Sequence, residues 1–177
     1  MGSYIVAVGI KFFGVMGCDI GGVNLDALQE QLILHEGLRL KPYKCTADKW
    51  TIGIGRNLEA NPLSQEEMLM ILKARGITEE IAIDWYEDKV RRIKRQLANY
   101  EWYTSQSEIR RRVLIDMAFN LGVNGLLTFQ KMIQALEAED YEWAAREMLD
   151  SKWATQVHGR ADRLALMMET NTDYREW

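Results

Sequence analysis

In HEGLRLKPYKCTADKWTIGIG, residues 35–55, a carboxylic acid, a thiol and a hydroxyl stand at set intervals: Glu36, Cys45 and Thr51. Acid–base cleavage of a sugar linkage needs one group to protonate the leaving oxygen and a second to hold or activate water. The second group in such a pair is ordinarily a carboxylate. Here it is Cys45, and a thiol with a pKa of about 8.5 is scarcely ionised at neutral pH unless its surroundings lower that value. Lys41, Lys44 and Lys49 are near enough in sequence to do so if the fold brings them close. Asp48 is a fallback base only if the turn carries it to the same place. Taken singly, none of these residues is specific. A Glu at a helix end is commonly a solvated charge, and Thr51 suits any strand.

Ahead of Glu36, Asn24 is a fair N-cap for a helix running to about His35, with Leu25, Leu28 and Leu32 on one face. Gly37 suits its left-handed stop, which places Glu36 at the negative end of the helix dipole. That position and burial both favour the protonated carboxyl that a general acid needs. The period then changes to two: LRLKPYKC and WTIGIG alternate around the turn TADK, predicting a small antiparallel sheet. Gly53 and Gly55 fall on one face of the second strand, where bare glycine admits a close neighbour such as a glycan, or simply tight packing.

After NLEANP the chain reads as helical throughout. Ser64 with Glu67 makes a capping box for a helix to about Arg75, and Thr78 caps a longer one over roughly 78–99. Ile81, Trp85, Val90, Ile93 and Leu97 are its expected inner positions. Ser105 with Glu108 predicts a further capped helix that ends at Gly122, Thr128 and Asp140 cap two more, and the last spans about 160–170. The fold class expected is α+β, predominantly helical: a small sheet lobe (about 24–76), a connecting helix (78–99) and a helical lobe (100–177). The cleft lies between the lobes, beside Glu36.

The 177 residues, with 47% apolar and 27% charged side chains, suffice for one well-packed globular unit. A net charge of −4 gives no general attraction to nucleic acid, and none is expected as a partner. Charge is uneven, however. Residues 89–112 carry Lys89, Arg91, Arg92, Lys94, Arg95, Arg110, Arg111 and Arg112 against Glu101 and Glu108, either a set of solvated helix faces or a strip that meets an anionic polymer. Two cysteines, Cys18 and Cys45, and two histidines, His35 and His158, show no metal-ligand spacing, so no metal is expected. Residues 1–23 form an apolar, glycine-rich extension broken by Lys11. It reads as a strand pair or packing element, or, over 4–18, as a weak releasable membrane anchor.

The spacing of Glu36, Cys45 and Thr51 within this segment resembles the catalytic signature of the T-even phage lysozymes and related endolysins, glycoside hydrolase family 24. RRRVLIDMAFNLGVNGLLTF and SKWATQVHGRADRL resemble that family's larger lobe in order and spacing, so that the likeness covers roughly residues 24–170. The resemblance implies a lysozyme-like two-lobe fold and a muramidase that cleaves the β-1,4 bond between N-acetylmuramic acid and N-acetylglucosamine in bacterial peptidoglycan. It implies a monomer with no cofactor, made in the bacterial host cytoplasm and acting on the wall from the periplasm. Glu36 would be the general acid, Thr51 would help hold the attacking water, and Cys45 would stand where many relatives have aspartate. Arg160 would pair with Glu36, while Gly55, Phe119 and Asn120 would face the sugar. Some members carry a weak N-terminal anchor whose cysteine pairs with the active-site cysteine; here Cys18 and Cys45 either do so or are two free thiols. A lytic transglycosylase, or an inactive glycan-binding module on the same fold, are the alternatives.

Overall fold

The computed structural model describes residues 19–20, 23–24 and 26–176. The proposed anchor segment 4–18, Cys18 and any pairing of Cys18 with Cys45 lie outside the described residues. Asp19–Ile20 (β1) and Val23–Asn24 (β2) pair antiparallel just before the first helix, Ala27–Glu36 (α1). The cap of α1 is Asp26 rather than Asn24, which β2 takes up. Asp26 accepts from the Leu28 and Gln29 N–H groups at 2.9 and 2.8 Å, and Gln29 accepts in return from the Asp26 N–H at 2.9 Å. This reciprocal box stabilises the start by about 1 kcal/mol. Gly37, at φ +74°, ends α1 in a conformation that a side chain would strain.

Strands Arg39–Lys44 (β3), Trp50–Gly53 (β4) and Arg56–Asn57 (β5) form an antiparallel sheet in that order. The β3–β4 register shifts between Arg39 and Tyr43, a bulge that contains Pro42, which has no N–H to give the ladder. The alternation expected through TIGIG stops at Gly53. Gly53 and Gly55, at φ +65° and +64°, turn the chain there instead of extending it. Helix Gln65–Ala74 (α2) starts on the expected Ser64–Glu67 box. Helix Glu79–Leu97 (α3) starts on Thr78 and runs about 28 Å.

The larger body comprises Glu101–Thr104 (α4), Glu108–Leu121 (α5), Val123–Leu126 (α6), Gln130–Glu137 (α7), Tyr141–Leu149 (α8), Lys152–Val157 (α9) and Gly159–Thr170 (α10). Two caps differ from expectation. Ser107, not Ser105, caps α5, because Ser105 closes α4. Thr128 donates its hydroxyl to the Gly125 carbonyl instead of capping α7. Asp140 does cap α8, accepting from the Trp143 N–H at 2.9 Å.

Two apolar clusters result. Ile52, Ile71, Ile77 and Ala82 form the smaller, between the sheet, α2 and the start of α3. The larger surrounds α5 and includes Leu114, Met117, Leu164 and Met168, each contributing about 1.5–3 kcal/mol by leaving water. Leu28 and Leu32 of α1 belong to this larger cluster, so the helix that ends in Glu36 is anchored on the helical body. Of the expected inner positions of α3, Ile81 and Trp85 are only half-buried. They lie at the margin of the smaller cluster, while Ile83 and Tyr86 face inward.

Candidate active site

Glu36 is the last residue of α1, and its carboxylate is only 16% exposed. Arg160, on the first turn of α10, donates from Nη1 to Glu36 Oε1 at 2.8 Å. The expected pairing of these two residues is thus present. Arg160 is itself held from behind, since its Nε donates to Asp116 Oδ1 at 2.9 Å and its Nη2 lies 2.8 Å from the same oxygen. Asp116, on α5, has no exposed side-chain surface. Its other oxygen, Oδ2, accepts from Gln31 Nε2 at 2.7 Å and from His35 Nδ1 at 2.9 Å.

Burial alone would push the Asp116 carboxyl up. The bond from His35, the Arg160 guanidinium and the bond from Gln31 outweigh it and hold Asp116 below the ordinary carboxylate range. Asp116 is therefore an anion, and His35 Nδ1 carries the proton it donates. His35 Nε2 lies 3.3 Å from Arg163 Nε, so both ring nitrogens are engaged. Burial similarly opposes the charge on Arg160, but Asp116 and Glu36 raise its pKa further above the already high guanidinium range. The network continues through Gln31 Oε1, which accepts from Arg112 Nη2 at 2.9 Å. Arg112 pairs with Asp173 at 2.6 Å.

Gly55 presses on the opposite side of Glu36. A Cβ at this position would come within 2.7 Å of Glu36 Oε2, so the close neighbour that this glycine admits is the acid itself. Thr51 pairs across the sheet with Tyr43, is 4% exposed and donates its hydroxyl to the Lys49 carbonyl at 3.1 Å. Cys45 is the first residue past β3, in the hairpin turn, where its N–H donates to Lys49 O at 3.0 Å. Its thiol is lowered from the ordinary value, first by main-chain hydrogen bonding at Lys49, then by that at Ala47 and by the Thr51 hydroxyl. Lys44 and Lys49 are paired with Asp48 and Glu59. Asp48 is exposed beside Lys44. Tyr43 links the two sides: burial pushes its phenol up, Arg39 opposes this, and the charges of both Glu36 and Cys45 add to it.

Beyond Gly55 a cavity of about 590 Å³ opens between the sheet, α3 and the end of α5. Ile54, Arg56, Trp85, Lys89 and Phe119 are among its lining residues, whereas Glu36, Cys45 and Thr51 stand outside it. Phe119 is largely buried but presents its ring to the Lys89 ammonium at 3.6 Å. Asn120 is spent otherwise, accepting from Trp153 Nε1 at 3.0 Å. The basic run 89–112 is no single strip. Arg112 is buried in the network, Arg110 stacks on Tyr141, Arg91 pairs with Asp88, and Lys89 and Arg92 face the cavity. Among the described residues no group of three or more His, Cys, Asp or Glu could hold a metal ion, and no helix is long and apolar enough to cross a membrane.

The phage lysozyme family profile matches residues 34–167, from just before Glu36 to just past Arg160. The chain belongs to the phage lysozyme family. It is 25% identical over 166 residues to probable T4-type lysozyme 1 of Dictyostelium discoideum, covering 84% of this chain and 96% of that protein. It is 30% identical over 159 residues, 81% of its length, to the pre-baseplate central spike protein Gp5 of Enterobacteria phage T4, of which it spans 28%. It is also 27% identical over 148 residues to the SAR-endolysin of Escherichia phage P1, covering 82% of this chain and 73% of that one. Membership makes this a lytic enzyme of the lysozyme type. His35, Asp116, Gln31 and Lys89 were not among the residues expected at the site. The one local signal for Asp116 was a charge inside VLIDMAF, an otherwise apolar helix face.

Proposed function

We propose that this protein is an endolysin-type muramidase, hydrolysing the β-1,4 bond between N-acetylmuramic acid and N-acetylglucosamine in bacterial peptidoglycan. The observation that carries the reading is Glu36 wedged between Arg160 and Gly55. A carboxyl fixed in one place is what proton delivery to a glycosidic oxygen requires. The names of the relatives, T4-type lysozyme and SAR-endolysin, support the same substrate.

In this scheme Glu36 protonates the leaving oxygen while Arg160 holds the carboxyl and stabilises its anion once the proton has gone. Thr51 helps to hold and orient the attacking water through its hydroxyl. Cys45, its thiol lowered by the hairpin main chain, takes the place of a carboxylate beside that water. Phe119, which lines the cavity, forms part of the sugar-facing surface. The protein acts as a monomer on the wall, and residues 4–18 serve either as a packing element or as a weak anchor before release.

The test is mass spectrometry of fragments released from purified peptidoglycan, with the protein kept reduced. Ordinary reducing ends are expected. Anhydro ends would make the protein a transglycosylase, and no fragments at all would make it a glycan-binding module.

A further inference from the structure

Trp85, Lys89, Arg92 and Gln96 succeed one another at helical spacing along α3, and all four line the cavity. The charges on this wall are not balanced. Glu67 neutralises Arg56 through two bonds of 2.7 and 3.0 Å, and Asp88 is taken by Arg91 at 2.6 Å. Among the described residues neither Lys89 nor Arg92 has a carboxylate within ion-pair distance. Glu36 is close enough for its charge to reach Lys89, but its Oε1 is held by Arg160. The Lys89 ammonium rests on the Phe119 ring instead. Burial pushes Lys89 down to about 8, with the Glu36 charge resisting and Arg160 and Arg92 adding to the fall.

An ammonium withdrawn from water without an anion destabilises the fold. A methionine of similar length would sit against Phe119 at no such cost. The wall is also positive in a chain whose net charge is −4, so the excess is local to the cleft. An unpaired charge of this kind, beside a fixed acid, is matched by a ligand group of opposite sign. The glycan of the proposed reaction supplies one: a lactyl carboxylate where muramic acid lacks its peptide, or the acids of the stem peptide where it does not.

Resting on the muramidase reading, we propose that Lys89, with Arg92 beside it, binds a carboxylate of the substrate next to the cleaved bond. The cleft thereby prefers acidic wall glycan to neutral N-acetylglucosamine chains.

The experiment uses the full chain carrying Glu36→Gln, so that ligands stay intact. It measures equilibrium binding of three tetrasaccharides: alternating muramic acid and glucosamine without peptide, the same with stem peptides, and an all-N-acetylglucosamine chain. The acidic ligands should bind about tenfold to a hundredfold more tightly than the neutral one. Lys89→Met should bring that ratio below about threefold, and Lys89→Arg should restore most of it. Whichever acidic ligand loses more identifies the carboxylate. A ratio unchanged by Lys89→Met, or equal losses on acidic and neutral chains, overturns the proposal. If Lys89→Met does not fold, Lys89→Gln takes its place under the same criteria. Fragment release by the unmodified protein from purified peptidoglycan is measured in parallel. No release sinks the muramidase reading and this inference with it; release with an unchanged ratio sinks this inference alone.

Discussion

Glu36 and Cys45 both lie near Tyr43, yet they are held in unlike ways. Glu36 stands at the end of a buried relay, Arg160 to Asp116 to His35 and Gln31, assembled from α1, α5 and α10. Cys45 sits in a hairpin turn on exposed sheet and owes its environment to the main chain at Lys49. The acid side is built from long-range side-chain contacts and is intolerant of change. The thiol side is built from local backbone, so its side chain can be exchanged without dismantling anything. This difference suits a reaction whose proton donor needs a fixed position, while the water-holding group needs only to be near.

The comparison breaks most sharply on activity. Glu36→Gln should lower kcat on purified peptidoglycan by about 10³-fold, within the range for loss of a general acid, while Cys45→Asp should retain activity within about tenfold. If the two variants lose equally, the asymmetry is wrong. Next comes stability. Asp116→Ala strands Arg160 beside a hole and should cost about 3–5 kcal/mol by denaturant unfolding, against less than about 1 kcal/mol for Cys45→Ala. A third variant separates position from presence: Gly55→Ala drives a Cβ against Glu36 and strains φ +64°. It should lower kcat about tenfold or more, with the acid still in place and KM little changed.

The smallest effect concerns acid. Asp116 and Asp173 have folded pKa values held below their unfolded ones, so their contribution is complete above the ordinary aspartate pKa of about 3.9 and is lost as pH falls below it. Thermal melts from pH 7 to pH 2.5 should show stability falling below about pH 4, with Cys45→Ser tracking the unmodified protein. A flat curve over that range would mean the network contributes nothing.

Much of the frame was legible locally. Ser64 with Glu67, Thr78 and Asp140 marked their helix starts, and Gly37 and Gly122 their ends, because caps are one-turn interactions. Where the cap fell two residues past the one expected, at Asp26 instead of Asn24 and at Ser107 instead of Ser105, the neighbouring element decided and the sequence pattern could not. The site was legible only in part. Glu36 was marked by its place at a helix end ahead of the sheet, whereas Arg160 rested on resemblance alone. Asp116 bonds to Arg160 across 44 positions and to His35 across 81, separations that no local periodicity encodes. Arg112 looked like surface charge because nothing nearby in sequence announces Asp173, 61 residues on.

Ile52 belongs to the smaller cluster and Ile54 to the larger, and Gly53 between them takes a positive φ. The chain crosses between the two packed bodies at Gly53 and again within α3, where Ala82 lies in the smaller cluster and Ile83 in the larger. Thr51 and Cys45 stand on the sheet side of that boundary, while Glu36, Arg160 and Asp116 belong to the helical body. The three residues singled out by their spacing are thus divided between two bodies, and their mutual distances depend on how the bodies pack against each other, not on the fold of either one.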